Sequence, residues 1–455
     1  MWRWCVLVVA LLSACSEHSF RAVPVPPVTP PSTWRTTVDS SAMIDRAWWQ
    51  TFRDPSLTAL VERAVANNSD IAISTAHVRQ ARARLQESSA PLLPAVDLGI
   101  STARSRTVSA FGTPLNQDFV QPQVQIGYEA DVFGRLGDQK AAAHDVFLAS
   151  QAAHDAMELS VSSTVAQTYV TLLGLDARLK VAQATLAARS ESLKVARSRV
   201  DRGYAPRLEL DQAQAEYQAA AQIVPQTELA IAQAENSLSE LVGETPHTIV
   251  RDKTLETVHV MPIPAGLPSE LLNRRPDIAQ AEYQLAATDK SLAAARKAFL
   301  PHLSLTATDG RAFSSILANP INIWSAGGSL LAPLFEGGRL SGEAEEAAGV
   351  RDQAAFVYRQ TTLRAFREVE DALLAIDRIN EQVQIAKLQC DALQSALAQA
   401  TRRYREGYSP YLEQLDAERQ LLAAQLTLVQ AQTDALNGRV QLYEALGGGW
   451  NSTKP

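Results

Sequence analysis

Few residues of this sequence have the types and spacing needed for chemistry. Seven histidines are scattered along 455 residues without the spacing of a metal site. His144 and His154 share a predicted helix but are separated by roughly 15 Å along its axis. The run Gly447-Gly448-Gly449 lacks the lysine and the following helix of a phosphate loop, and no nucleophile elbow appears. We therefore expect no metal, no cofactor and no enzymatic activity.

One cysteine is placed for a covalent modification. Cys15 follows an apolar run and the small residues Ser13 and Ala14, the order found where a bacterial lipoprotein signal is cleaved and the cysteine acylated. We predict a signal peptide over 1–14, a covalent lipid on Cys15, and a proline-rich tether over 15–40. Ser16 favours the outer membrane. The alternative is an ordinary secretory signal that ends near a cysteine. Cys390 is expected to be a packed, unreactive residue.

Composition argues against two classes of protein. The formal net charge is −7 at pH 7, and no basic run indicates nucleic-acid binding. Mean hydropathy is −0.10. After the first fifteen residues, no run approaches the ~20 apolar residues of a membrane-spanning helix. The chain therefore resembles neither a nucleic-acid-binding protein nor a helical membrane protein.

A very long helix, predicted over 136–202, dominates the first half of the chain. No proline interrupts it, and twelve positions from Val161 to Val200 alternate in steps of four and three, the spacing of a heptad seam. At ~1.5 Å per residue the helix would be roughly 100 Å long. Such a helix does not fit inside a compact domain and must build something elongated.

Two strands are predicted before this helix, because the apolar period there changes to two. Val96, Leu98 and Ile100 alternate with polar residues, and the alternation resumes from Val124 to Ala130 after a turn around 111–113. We predict strands over about 94–108 and 119–133, each apolar on one face.

The second half of the chain repeats the first at an offset near 205 residues. Phe299–Leu305 parallels Leu92–Leu98, and Arg403–Tyr408 parallels Arg199–Tyr204. The predicted segments are repeat 1 over 41–246 (with a helix over 206–242), a connector over 247–267, and repeat 2 over 268–455 (strands about 301–313 and 322–335, long helix 340–406, helix 410–446). The fold class is mainly α with a transmembrane β part.

Four strands per chain cannot close a membrane barrel, since the smallest such barrels have about eight. Open sheet edges are not tolerated in lipid, because their backbone groups remain unpaired. Several chains must therefore share one barrel. Physical argument allows eight, twelve or sixteen strands, and twelve or more are favoured if the barrel conducts.

The duplicated unit resembles the TolC family of outer-membrane efflux proteins, specifically its lipoprotein (OprM/NodT-like) branch. The resemblance covers essentially the whole chain from Cys15. The motifs that carry it are Leu12–Cys15, Trp48–Pro55, Arg274–Ile278, Phe299–Pro301, Leu334–Arg339 and Tyr411–Arg419.

This resemblance implies a homotrimer with a shared twelve-stranded barrel, a coiled-coil tunnel of long helices through the periplasm and an equatorial collar that includes the connector. It implies a passive exit duct for small molecules such as drugs, working with a periplasmic adaptor and an inner-membrane pump of the RND type. A protein-secretion duct of the same fold is an alternative. A periplasmic coiled-coil adaptor or scaffold is a second, which the strands argue against.

The resemblance also implies a function for the two turns between the long and the medium helices. These turns lie at the end of the helices far from the strands. Leu412 and Asp416 lie one helical turn apart, and Asp416 would give a ring of three carboxylates at a periplasmic gate. We predict Asp211 as a further gate residue, the counterpart of Asp416 in repeat 1. The predicted gate latch and adaptor contact comprise Arg202, Gly203, Arg405, Glu406 and Gly407. The alternatives are a seam leucine with a solvated neighbour, and ordinary helix-end charges.

Overall fold

A computed structural model describes residues 23, 26–36, 44–258, 263 and 265–450. The predicted signal peptide, Cys15 and much of the tether lie outside these residues. The described part is built from helices and four strands in a repeated order. The elements are α1 (Pro55–Asn67), α2 (Ser69–Ser89), β1 (Ala95–Val108), β2 (Pro114–Ala130), α3 (Arg135–Asp201), α4 (Arg207–Leu241), α5 (Leu271–Arg274), α6 (Pro276–Lys297), β3 (His302–Ser314), β4 (Ile321–Leu331), α7 (Arg339–Arg405) and α8 (Tyr411–Ala445).

The duplication is reproduced in the lengths of the elements. Helices α3 and α7 each have 67 residues, and α4 and α8 each have 35. None of the twelve heptad positions singled out between Val161 and Val200 is exposed, as a packed seam requires. No helix among the described residues has an apolar stretch long enough to cross a membrane.

Two strands depart from their predicted bounds by several residues. Strand β2 begins at Pro114, five residues before its predicted start, because the turn is short and pairing resumes at once with Val108 opposite Pro114. It ends at Ala130, because Asp131 accepts hydrogen bonds from the backbone N–H groups of Leu136 (3.0 Å) and Gly137 (2.7 Å) at the start of α3. Strand β4 ends at Leu331, before its predicted end at 335.

The four strands form one antiparallel sheet in the order β1-β2-β3-β4. The pair β2–β3 joins the two repeats, with Tyr128 opposite Leu305. Cross-strand partners share a face, so the register places Leu98 beside Val124 on one side of the sheet and Gln123 beside Gly99 on the other. One face is therefore mainly apolar along its helix-proximal half, and the other is mainly polar. This is the alternation that the period-two pattern predicts.

The chain divides into two compact units. The sheet belongs to the first, built mainly from His77–Gln151 and Gln280–Gln360. The second contains Val28–Ala76, Ala152–Ala279 and Thr361–Pro455.

The core of the second unit contains an aromatic cluster. Trp48, which is 1% exposed, stacks on Tyr443 at a centroid distance of 5.1 Å, and Phe52 packs against its edge. The Tyr169 hydroxyl donates to Asp54 Oδ2 at 2.8 Å. Burial and this carboxylate raise the pKa of Tyr169.

Candidate functional site

The two turns between the paired helices form the candidate site, which we call the tip. Both turns place a glycine in the left-handed region, with φ of 78° at Gly203 and 81° at Gly407. Both then close with the same backbone hydrogen bond, from Tyr204 to Arg199 and from Tyr408 to Arg403, at 2.8 Å. The two turns therefore have the same backbone geometry.

The equivalence of the turns fixes the repeat offset at this point. Helix α4 begins at Arg207 and α8 begins at Tyr411, each after a proline that is extended. The sixth residue of α8 is Asp416, and the sixth residue of α4 is Gln212. The assignment of Asp211 as the counterpart of Asp416 was therefore wrong by one position, because the offset here is 204 and not 205.

An aromatic cluster holds the two turns together. The Tyr404 and Tyr411 rings lie 5.5 Å apart, and the Arg199 guanidinium lies 4.5 Å from the centre of the Tyr404 ring. The Tyr404 hydroxyl donates to a carboxylate oxygen of Glu209. Burial, together with Glu209, raises the pKa of Tyr404, so this hydroxyl stays protonated and remains a donor at neutral pH. Residues of repeat 1 are thereby joined to residues of repeat 2.

A buried ion pair lies deeper between the same helices. Arg189, with a side chain 4% exposed, donates from Nη1 to Glu216 Oε2 and to the Glu216 backbone oxygen, both at 2.8 Å. Arg419 approaches the other carboxylate oxygen of Glu216, with Nε at 2.8 Å. Glu216 is itself buried. Its charge is compensated by two arginines, the buried Arg189 and the exposed Arg419.

The predicted gate residues lie on the exposed side of the tip helices. Leu412 is 59% exposed, and Asp416 is exposed one turn further along α8. The Gln420 amide donates to Asp416 Oδ2 at 2.6 Å. Leu208, at the place in α4 that Leu412 occupies in α8, is 65% exposed. Asp211 is also exposed and lies 3.3 Å from Arg207 Nε.

The predicted latch residues are also exposed. Among the residues that the structure describes, the side chains of Arg202, Arg405 and Glu406 form no ion pair. Nearby, Arg403 pairs with Glu413 at 3.1 Å. The chain by itself thus presents unpaired charges of both signs at the tip.

Sequence reasoning missed Tyr404, Glu209 and Glu216, whose roles depend on contacts between the repeats. One signal was present. Tyr411 stands where repeat 1 has Arg207, an aromatic in place of a charge at the first position of an otherwise equivalent helix. Such a difference between equivalent positions indicates an asymmetric contact, and the structure places Tyr411 against Tyr404.

Comparison with known proteins follows the same division into repeats. A family model described as "Outer membrane efflux protein" matches residues 60–244 and 267–448. The chain belongs to this family. The family resemblance expected from the motifs is confirmed, and so are the fold class, the outer-membrane location and the role in efflux.

The chain is similar to these relatives over most of its length. It is 33% identical to the pyoverdine export outer membrane protein OpmQ of Pseudomonas putida, over 99% of this chain and 98% of the relative. It is 34% identical to the solvent efflux pump outer membrane protein SrpC of P. putida, over 88% and 87%. The solved outer-membrane channel OprN is similar with a TM-score of 0.87 and 27% identity, over 95% of this chain and 99% of that one. The family consists of transport proteins.

Proposed function

We propose that three copies of this chain form the outer-membrane exit duct of a tripartite efflux system. The observation that carries the proposal is the sheet with two open edges. Among the described residues, neither β1 nor β4 has a partner strand on its outer side. In lipid such edges leave backbone groups unpaired, so neighbouring copies must supply the missing strands. Three chains would give twelve strands, enough for a barrel with a lumen.

The two faces of the sheet support a lipid-facing and a water-facing side. Val96, Leu98 and Ile100 are 65–77% exposed in the single chain. Their exposure is costly in water and is resolved if this face contacts lipid. The opposite face carries glutamines along β2, such as Gln121, whose amide donates to Gln123 Oε1 at 2.7 Å. This polar face would line the lumen.

The exported compounds and the partners are inferred from the relatives. One relative exports pyoverdine and another is part of a solvent efflux pump. We propose that this chain exports small molecules with a periplasmic adaptor and an inner-membrane pump of the RND type. The pump would supply the energy, and this chain would be a passive duct, without catalysis or a metal. The covalent lipid on Cys15 would anchor it further to the outer membrane.

The tip would be the periplasmic gate. In a trimer Leu412 would form an apolar constriction and Asp416 a ring of three carboxylates, which favours cations. Arg202, Arg405 and Glu406, with Gly203 and Gly407 in the turns, would form the contacts between copies that hold the gate closed. This region would also receive the adaptor. Exposed ion pairs are weak, so a partner could open such a latch.

The assembly is tested by the mass and conductance of the purified full-length protein in a planar bilayer. We expect a trimer that conducts. A monomer without conductance would overturn the proposal. In cells, a variant in which Cys15 is replaced by alanine behind an ordinary secretory signal should stay in the outer-membrane fraction. A lipid-anchored scaffold without a barrel would instead be released into the soluble periplasmic fraction.

The gate is tested by Asp416→Ala in single-channel recordings. Alanine removes the carboxylate and shortens the side chain that would narrow the entrance, so we expect a higher conductance of the isolated trimer. Asp391→Ala, which removes an exposed charge from α7, is the control and should leave conductance unchanged. Equal conductance of the Asp416 variant and the wild type would count against this gate.

A further inference from the structure

The apolar face of the sheet changes character toward the hairpin turns. Arg104 and Arg106 follow Leu98 at even spacing on β1, so they lie on the same face as Leu98. Arg311 follows Leu305 at even spacing on β3 and also lies on this face. All three arginines are exposed, and the Arg104 side chain is 87% exposed. The face that begins with Val96 and Leu303 thus carries cations toward the hairpin turns, each strand closing with one apolar residue, Val108 or Phe313.

Arg104 and Arg311 lie equally far along their strands from the first apolar residue of this face, although the staggered register sets Arg311 level with Ile100. Arg104 comes eight residues after Val96, and Arg311 comes eight residues after Leu303. Eight residues span about 26 Å along a strand, or about 20 Å of height at a tilt of ~40°. The apolar band of a membrane barrel is about 25 Å tall, so these guanidinium groups would reach its outer boundary, where headgroups begin.

An aromatic residue marks the same boundary. Trp324 lies opposite Asp309 in the register of β3 and β4, on the apolar face, and is 77% exposed. Tryptophan is enriched where the apolar part of a barrel meets the headgroups. On β3, Asp309 lies two residues before Arg311. On β3 the boundary inferred from Trp324 therefore falls two residues below Arg311.

Three arginines and two aspartates, Asp118 and Asp309, lie on this part of the face, so one positive charge remains in excess. Arg104 Nε lies 3.4 Å from Asp118 Oδ1, and Arg311 Nε donates to the Asn322 side-chain oxygen at 3.2 Å. Arg106 stands opposite Asn116. Within the described residues, Arg106 and Arg311 have no carboxylate partner. A guanidinium group without a carboxylate partner is suited to bidentate binding of phosphate.

We propose that Arg104, Arg106 and Arg311 form an outward-facing belt that binds the phosphate groups of anionic lipids in the outer leaflet. The inference rests on the proposed barrel, since the hairpin ends of the strands must lie on the extracellular side of the membrane. The apolar band below the belt would contact the acyl chains of the same lipids. One lipid would thus be held at both its headgroup and its tails, which would fix the height of the barrel in the membrane.

The test uses the full-length trimer in a neutral detergent. Native mass spectrometry measures binding of lipid A, an acylated disaccharide with two phosphates, and of the same lipid without phosphates. We expect the phosphorylated lipid to bind more tightly, and its affinity to fall as salt rises. Each of Arg104→Gln, Arg106→Gln and Arg311→Gln should weaken binding about fivefold.

The control is a triple variant that removes three positive charges, the same number that the three belt substitutions remove together. Arg79→Gln, Arg82→Gln and Arg84→Gln remove three exposed arginines from α2 and should leave lipid binding within twofold. The belt is refuted if its variants bind lipid A as the wild type does, if the control weakens binding equally, or if the lipid without phosphates binds as tightly. The single belt variants are compared with the wild type first, so that a triple variant that fails to fold does not decide the result. Conductance is recorded in parallel, since a conducting trimer that fails to bind lipid refutes only the belt.

Discussion

The buried carboxylate of Glu216 allows a quantitative test of what stabilises the tip. In Glu216→Gln the Arg189 guanidinium stays buried but loses the carboxylate that it contacts, and it keeps the hydrogen bond to the backbone oxygen of residue 216. Breaking a buried ion pair from one side costs about 3–5 kcal/mol. At about 1.4 kcal/mol per tenfold change, local opening should become roughly a hundred to a few thousand times more frequent.

Hydrogen exchange of the backbone amides measures this opening directly. In the purified trimer, amides of 185–220 should lose two to three orders of magnitude of protection, in line with that estimate. The control is Arg419→Gln, which removes the other arginine from Glu216. Because the Arg419 side chain is 57% exposed, the cost should be below about 1 kcal/mol, or less than about fivefold in exchange.

A compensating variant separates the ion pair from packing. Arg189→Met combined with Glu216→Leu replaces both charges with apolar groups, and such a replacement is often neutral. It should restore most of the protection that Glu216→Gln loses. The reasoning fails if Glu216→Gln loosens the tip no more than Arg419→Gln does.

Three further predictions concern the helix and turn glycines, Glu444 and Gln212. Gly407→Ala forces a side chain into a left-handed turn and should speed amide exchange at the tip by about fivefold or more, whereas Gly342→Ala, in a helix with open space around it, should raise the thermal midpoint. Burial, with Glu368 nearby, raises the pKa of Glu444. This group therefore costs stability as pH rises above its unfolded-state pKa, and Glu444→Gln should raise the thermal midpoint near pH 7 but not near pH 4. Gln212→Asp should increase cation over anion permeability, measured as the reversal potential in a salt gradient.

The long elements could be predicted closely because each follows a repeated physical pattern. The predicted helix over 136–202 is found over Arg135–Asp201, since the heptad seam runs through it and Gly203 ends it. The strands followed from alternation, but β2 was placed five residues late. Its first residues include Pro114, which disfavours a strand by propensity, although its position beside the turn permits pairing.

The contacts at the tip could not be predicted in the same way. Tyr404 and Glu209 are separated by 195 residues, and Arg189 and Arg419 meet at Glu216 only because α3, α4 and α8 pack together. Neither contact can be recognised from a local pattern in the sequence. Heptad spacing predicts that Arg189 lies on a seam, but it does not say which acid compensates its charge.

The two turns, which are equivalent at an offset of 204 residues, would contribute differently to the apolar constriction and to the charge of the proposed gate. Leu208 and Leu412 occupy equivalent places and are both exposed, so in a trimer both repeats can contribute to an apolar constriction of six leucines. The carboxylate of Asp416 has a neutral counterpart, Gln212, so only three charges would line the same level. Closure by dewetting would therefore depend on both repeats, whereas cation preference would depend on repeat 2 alone. Removing Asp416 should abolish the preference while leaving the apolar constriction complete.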